Sequence, residues 1–150
     1  MAVTNITVVH GSVVLPSAGA RLQAVQWGEA VDKGEAVYLN SSNGKYYLAT
    51  ANGSGASGLA EATCRGFALV GGSTDAYGTL LRSGPIDFGT SILTAKASYH
   101  LSPHTSAGNI RMDTTDNLAD LGTGDFLVHV GRATSARILE VDIHVHTTAV

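Results

Sequence analysis

The sequence runs Arg137-Ile138-Leu139-Glu140-Val141-Asp142-Ile143-His144-Val145-His146 over residues 137–146, and apolar side chains alternate there with polar ones. A period of two is that of a β-strand, whose successive side chains point to opposite faces. One face is aliphatic and the other carries carboxylates and imidazoles, which is typical of a half-buried antiparallel strand. This stretch therefore predicts a β-strand with one face in a core.

The same alternation occurs just upstream. Phe126, Val128 and Val130 share one face and His129 lies on the other. With residues 131–136 as the turn, the pattern predicts a β-hairpin over Phe126–His146.

Further apolar stretches bounded by glycine predict five more strands, at Glu35–Asn40, Lys45–Thr50, Arg65–Val70, Gly78–Gly84 and Ser98–Ser102. Asn43-Gly44 marks a tight turn between the first two, and residues 52–58 form a loop by composition. Helical signals are short, limited to single turns at Leu59–Thr63 and Asn117–Leu121. We expect an all-β fold, a small antiparallel β-barrel or sandwich of jelly-roll or tulip-like form.

Two short phrases recur along the chain. Val37-Tyr38-Leu39-Asn40 resembles Tyr99-His100-Leu101-Ser102, and Arg65-Gly66-Phe67-Ala68 resembles Val130-Gly131-Arg132-Ala133. The two offsets are similar. Each half is therefore expected to carry one copy of a strand–turn–strand module.

The first part of the chain has a different pattern. Val3–Leu15 is apolar, is broken by Gly11, and runs into Pro16-Ser17-Ala18-Gly19-Ala20. We interpret residues 1–20 as an extended arm and linker, and residues 21–150 as a single β domain. The alternative is that Val3–Leu15 is simply the first strand of the barrel.

The composition excludes several classes of function. The 150 residues are 44% hydrophobic, but only 14% are charged, against roughly 25% in an average soluble domain. A net charge of −3 and the lack of a Lys/Arg cluster argue against nucleic-acid binding. No apolar stretch reaches the roughly 20 residues of a membrane span, and residues 1–5 lack a signal-peptide pattern. Cys64 is the only cysteine, which rules out an internal disulfide and a thiolate metal cluster.

Three histidines are candidate metal ligands. His144 and His146 lie at i and i+2 on one strand face, and His129 lies across the predicted hairpin. We prefer to interpret them as the polar outer face of the strand, so no metal and no cofactor is expected.

Other motifs do not indicate an enzyme. Residues 53–58 match G-x-G-x-x-G, but no helix long enough for a dinucleotide site follows before Gly66. There is no G-x-S-x-G nucleophile motif, and Cys64 is interpreted as the start of a buried strand. The carboxylates between Arg111 and Phe126 do not match the calcium loop and are assigned to a solvated loop, with a loose cation site left open: Asp113, Asp116, Asp120 and Asp125.

A series of phrases carries a resemblance to a known family: Gly34-Glu35-Ala36-Val37-Tyr38-Leu39, Arg65-Gly66-Phe67-Ala68-Leu69, Gly78-Thr79-Leu80-Leu81-Arg82-Ser83-Gly84, Tyr99-His100-Leu101-Ser102, Gly108-Asn109-Ile110 and Val130-Gly131-Arg132-Ala133-Thr134-Ser135. The series resembles the small β-rich decoration, or cement, proteins of tailed-bacteriophage heads, over roughly residues 28–145.

The resemblance implies a protein made in the host cytoplasm and carried on the outer surface of the virion. There it binds the major capsid protein and clamps the shell against internal DNA pressure. It implies a homotrimer, with a dimer as the alternative. Val3, Ile6, Val8 and Val9 are then the candidate contacts with the capsid or a neighbouring copy. Deletion of residues 2–15 is expected to abolish capsid binding and to leave a folded core.

Two other functions remain open. A fibre or tail-tip module would bind a host receptor or glycan through exposed aromatic residues, for which Tyr46 and Tyr47 are candidates. A small metal-dependent barrel enzyme would rest on the three histidines.

Overall fold

The computed structural model describes residues 5–14, 19–52, 58–103 and 107–148. It is all-β, as the alternation predicts. Within these ranges the chain forms nine strands: β1 Arg21–Gln26, β2 Ala36–Asn40, β3 Lys45–Leu48, β4 Cys64–Val70, β5 Tyr77–Asp87, β6 Ser98–Leu101, β7 Ile110–Met112, β8 Val128–Ala133 and β9 Ile138–Val145. Two short helices, α1 Gly58–Ala62 and α2 Thr115–Ala119, lie between them, and His10–Ser12 forms one 3-10 turn.

The strands form one curled antiparallel sheet in the order β3-β2-β4-β5-β9-β8-β6-β7, and β1 also pairs with β5. The long strand β5 changes partner at Gly84, which has a φ of +102°. Before Gly84 the strand pairs with β1 and β4, and from Gly84 to Asp87 it pairs with β9. A glycine relieves the steric cost of this left-handed backbone where the sheet divides.

Two hydrophobic clusters fill the fold. The smaller one contains Trp27, Val37 and Leu80 and lies within the half built from β1 to β5. In this half, a parallel bridge from Trp27 to Tyr46 joins the end of β1 to β3. The larger cluster contains Phe67, Leu81 and Leu139 and extends under β6 to β9.

The two halves of the chain repeat one plan. Strands β2 to β5 with α1 match strands β6 to β9 with α2 in order, and the sheet order is symmetric about the β5–β9 pair. In the first half Val37 pairs with Gly66, and in the second Tyr99 pairs with Gly131; an irregularity in register follows both pairs. A Cβ on Gly66 or Gly131 would lie 2.2 or 2.3 Å from a carbonyl oxygen of the neighbouring strand. The recurring phrases therefore lie at equivalent cross-strand pairs of the two halves.

Most of the predicted strands are present, with some differences at their boundaries. The hairpin of β8 and β9 is confirmed, but its turn is shorter than predicted, because residues 131–133 continue β8. Strands β1 and β7 were not predicted. Strand β1 is exposed at several positions on both faces, and β7 has only three residues, so neither carries a clear alternation.

Candidate functional site

An exposed apolar surface covers the outer side of three neighbouring strands. Cross-strand pairs place Leu22 opposite Leu81, Ala24 opposite Thr79, and Val70 opposite Thr79. Opposite residues of an antiparallel pair project to the same side, as do residues two apart in one strand. The polar Gln26, opposite Tyr77, also projects to this side. We call the other exposed or partly exposed members the apolar face: Leu22, Ala24, Val70, Tyr77 and Thr79.

The apolar face is open to solvent, unlike the cores beside it. Leu22 is 47% exposed, Val70 49% and Tyr77 76%. Leu81 projects to the same side but is fully buried in the larger cluster. The apolar face is therefore the exposed continuation of a sheet surface that the larger cluster covers. None of its five residues is charged. Contiguous apolar surface of this kind marks sites where proteins meet other surfaces.

The turn that leads into Tyr77, the first residue of β5, is fixed by contacts of Asp75. Asp75 has a positive φ of 69°, and its N–H donates to the carbonyl oxygen of Trp27 at 2.8 Å. Gln26 Nε2 donates to the carbonyl oxygen of Asp75 at 3.0 Å, and Lys45 pairs with the Asp75 carboxylate. The most exposed aromatic ring of the described residues therefore projects from an ordered turn.

Three of the four predicted contact residues of the N-terminal arm are described, and they lie away from the apolar face. Val3 is outside the described residues. Ile6 donates its N–H to the carbonyl oxygen of Ile110 at 3.1 Å, and both Ile6 and Val8 pack against the larger cluster. Of the three that the structure describes, only Val9 is strongly exposed, at 49%.

The described part of the arm is built into the fold. Val13 is 1% exposed and belongs to the larger cluster. Val14 exchanges two backbone hydrogen bonds with Asp87, of 2.8 and 3.0 Å. These contacts disagree with the expectation that residues 2–15 can be deleted without disturbing the core, because the deletion removes a buried side chain.

The three candidate metal ligands lie at one end of the β8–β9 hairpin. His129 and His144 are opposite each other, with ring centroids 6.1 Å apart. His146 follows the end of β9 and is exposed, and His144 lies 3.3 Å from the exposed carboxylate of Asp142. Within the described ranges, no three His, Cys, Asp or Glu side chains come together in a way that holds a metal.

A buried polar cluster lies beside these histidines. His100 is fully buried and its Nδ1 lies 2.7 Å from Asp113 Oδ1. Arg111, on the neighbouring strand, donates to Asp120 Oδ2 at 2.6 Å and to Asn5 Oδ1 at 3.0 Å. The assignment of these carboxylates to a solvated loop is wrong for Asp125, which is 7% exposed. Asp113 is exposed and Asp120 is partly exposed, but each carboxylate also binds a buried side chain. Sequence periodicity predicts neither the contact of His100 with Asp113 nor that of Arg111 with Asp120, because the two partners of each contact lie in different segments of the chain.

The remaining candidates are not reactive groups. Burial raises the pKa of the Cys64 thiol to about 12, and the thiol donates to the carbonyl oxygen of Gly66 at 3.7 Å. A thiol held protonated is a poor nucleophile and a poor metal ligand. Of the adjacent tyrosines, Tyr46 is buried, while Tyr47 is partly exposed and its ring stacks on Tyr38. The glycine-rich stretch 53–57 lies outside the described residues.

No protein-family model matches the chain, and no curated protein matches it significantly. No helix in the described part of the chain has the length and apolarity to cross a membrane.

Proposed function

We propose that the chain is a capsid decoration protein of a tailed bacteriophage. It binds the major capsid protein on the outer surface of the assembled shell and stabilises that shell against internal DNA pressure. It acts as a homotrimer, with a dimer as the alternative. The observation that carries the proposal is the apolar face, an uncharged, ordered and exposed surface of the kind used for protein contact.

The form of the apolar face suits binding in many copies. Its side chains stand on paired strands, so little conformational entropy is lost when a partner covers them. A single contact made through these five side chains is weak, but several copies joined in one oligomer bind a repeating lattice with much higher avidity. Val9 and Val14, each 49% exposed, add apolar surface on the arm.

The test uses heads of the parent phage from which this protein is missing. Val70→Ser and Tyr77→Ser, combined in one variant, remove the centre of the apolar face and leave the buried clusters intact. We expect the wild-type protein to co-sediment with the heads in hundreds of copies and to raise their resistance to heat and osmotic shock. The double variant is expected to lose both effects.

Leu59→Ser is the matched control, because Leu59 is also exposed, at 40%, but lies on α1. It should bind as the wild-type protein does. Equal binding of the double variant and the control would contradict the proposed role of the apolar face. A copy number of a handful per virion would contradict decoration itself.

A fibre or tail-tip module that binds a receptor or glycan is the second candidate. Tyr77, at 76% exposed, favours it, since an exposed aromatic ring stacks on the apolar side of a sugar. A few copies per virion, together with binding to host cells that Tyr77→Ser abolishes, would support this function instead.

A further inference from the structure

The segment after β7 lies against β6 and β7 and is held there by two of its carboxylates, one bound to a histidine and one to an arginine. We call residues 113–125 the covering segment. Asp113 binds His100 on β6, Asp120 binds Arg111 on β7, and Asn117 Nδ2 donates to the carbonyl oxygen of Met112 at 2.8 Å. Within the segment, the Thr114 hydroxyl caps α2 by accepting the N–H of Asn117.

The contact between His100 and Asp113 determines which ring nitrogen of the neutral imidazole carries the proton. A carboxylate only accepts hydrogen bonds, so the neutral ring carries its proton on Nδ1 and donates to Asp113. Its Nε2 is then an acceptor. That atom is buried and has no hydrogen-bond partner among the described residues.

Protonation of His100 is therefore costly in the closed arrangement. It would add a buried Nε2–H without an acceptor. It would also place a cation opposite Arg111 on one side and beside His129 on the other. Burial lowers the pKa of His100, and Arg111 and His129 lower it further, while Asp113 opposes the shift.

The equivalent position in the first half of the chain shows that the architecture does not require this histidine. Tyr38 pairs with Cys64 after the register irregularity, as His100 pairs with His129 in the second half. Neither Tyr38 nor Cys64 titrates near neutral pH, because burial raises the pKa of both. The imidazole–carboxylate contact is thus an addition to the repeated plan.

We propose that the contact between His100 and Asp113 is an acid-sensitive latch, which holds the covering segment over β6 and β7 at neutral pH and releases it when His100 is protonated. The lowered pKa of His100 determines the direction of the pH dependence. Stabilisation of the closed segment is complete above the ordinary histidine pKa of about 6.5 and is lost as the pH falls through the lowered value. Released, the segment exposes His100 and frees Arg111 from Asp120.

The test is amide hydrogen exchange of the full chain, corrected for intrinsic rates, from about pH 7.5 to about pH 5. Leu118 and Asp120, whose N–H groups bond within α2, report on the covering segment, and Ala68 and Phe88 report on the rest of the sheet. We expect the protection of the first pair to fall by up to about tenfold per pH unit below about pH 6.5. The second pair should keep its protection.

Variants assign the effect to His100. His100→Gln should remove the pH response of the covering segment. Asp113→Asn keeps an acceptor for Nδ1 but removes the anion that favours protonation, so the pKa of His100 in the closed arrangement falls further and the loss of protection should continue to lower pH than in the wild type. This second variant provides the test if His100→Gln does not fold. His144→Gln, at an exposed imidazole of the same sheet, is the control and should behave as the wild type.

Three results would overturn the latch. One is an imidazole NMR titration that places the His100 pKa at or above its ordinary value. Another is an unchanged pH response in His100→Gln or in Asp113→Asn. The third is a parallel loss of protection at Ala68 and Phe88, which is acid unfolding of the whole sheet.

Discussion

Leu80 and Leu81 are consecutive residues of β5, and each is fully buried in a different hydrophobic cluster. Successive side chains of a strand point to opposite faces, so this pair requires that both faces of β5 are covered at the same point. One face meets the cluster around Trp27 and the other the cluster around Phe67. Strand β5 therefore contributes a buried side chain to each of the two cores.

Truncation of either leucine should destabilise the protein strongly. We expect Leu80→Ala and Leu81→Ala each to cost about 2–5 kcal/mol of unfolding free energy, since each leaves a cavity in a packed cluster. Urea denaturation measures the loss. Leu22→Ala, on the exposed part of the same sheet, is the control and should cost no more than about 0.5 kcal/mol. A loss of unfolding free energy as small as that of Leu22→Ala at either buried leucine would mean that this leucine is not packed inside its cluster.

The equivalent glycines of the two halves should be equally intolerant of a side chain. A Cβ at Gly66 would lie 2.2 Å from the carbonyl oxygen of Leu81, and one at Gly131 would lie 2.3 Å from that of Glu140. We expect each Gly→Ala change to cost about 1–3 kcal/mol, because the neighbouring backbone must move. Gly11→Ala, which meets nothing within 4 Å, is the control for thermal melting. Tolerance at one glycine but not the other would count against the repeated plan.

Two valines of the arm should respond differently to truncation. Val13 is 1% exposed and Val9 is 49% exposed. We expect Val13→Ala to lower the unfolding free energy by about 1–3 kcal/mol and Val9→Ala to leave it nearly unchanged. Chemical denaturation compares the two directly. Equal stabilities would show that the arm is not part of the core, and the deletion of residues 2–15 would then become a clean test of binding.

The ion pair of Asp87 with Arg137 should make stability depend on acidic pH. Hydrogen bonds from Arg137 hold the pKa of the buried Asp87 carboxyl below its usual range, against the raising effect of burial, and the N–H of Gly89 adds to the lowering. The stabilisation is present above the unfolded-state value of about 3.9 and is lost as the pH falls through the lowered value.

The measurement is the free energy of unfolding at neutral pH and down to about pH 2. Asp87→Asn should be less stable than the wild type at neutral pH but should lose less on acidification. Asp142→Asn, at a carboxyl that is 74% exposed, is the control and should follow the wild-type curve. A wild-type slope in Asp87→Asn would assign the acid sensitivity to other carboxyl groups.

Part of the fold followed from local pattern. Alternation in residues 137–146 predicts β9 and its hairpin partner, and the recurring glycine phrases predict the repeated module. These features are local, since each depends on residues that are neighbours in the chain. The apolar face was not predicted, because Leu22, Val70 and Tyr77 come from three separate segments and only strand pairing places them on one side.

The sequence by itself determined the all-β class and the lack of a recognisable catalytic motif, since periodicity and motif spacing act over short distances. The tertiary structure decided which strand faces are covered. It buried both faces of β5 at Leu80 and Leu81, left the side of β1 around Leu22 open, packed Val13 into a core, and placed His100 against Asp113. The physical reason is that burial depends on which distant segment lies over a residue, and that contact is made only when the chain has folded.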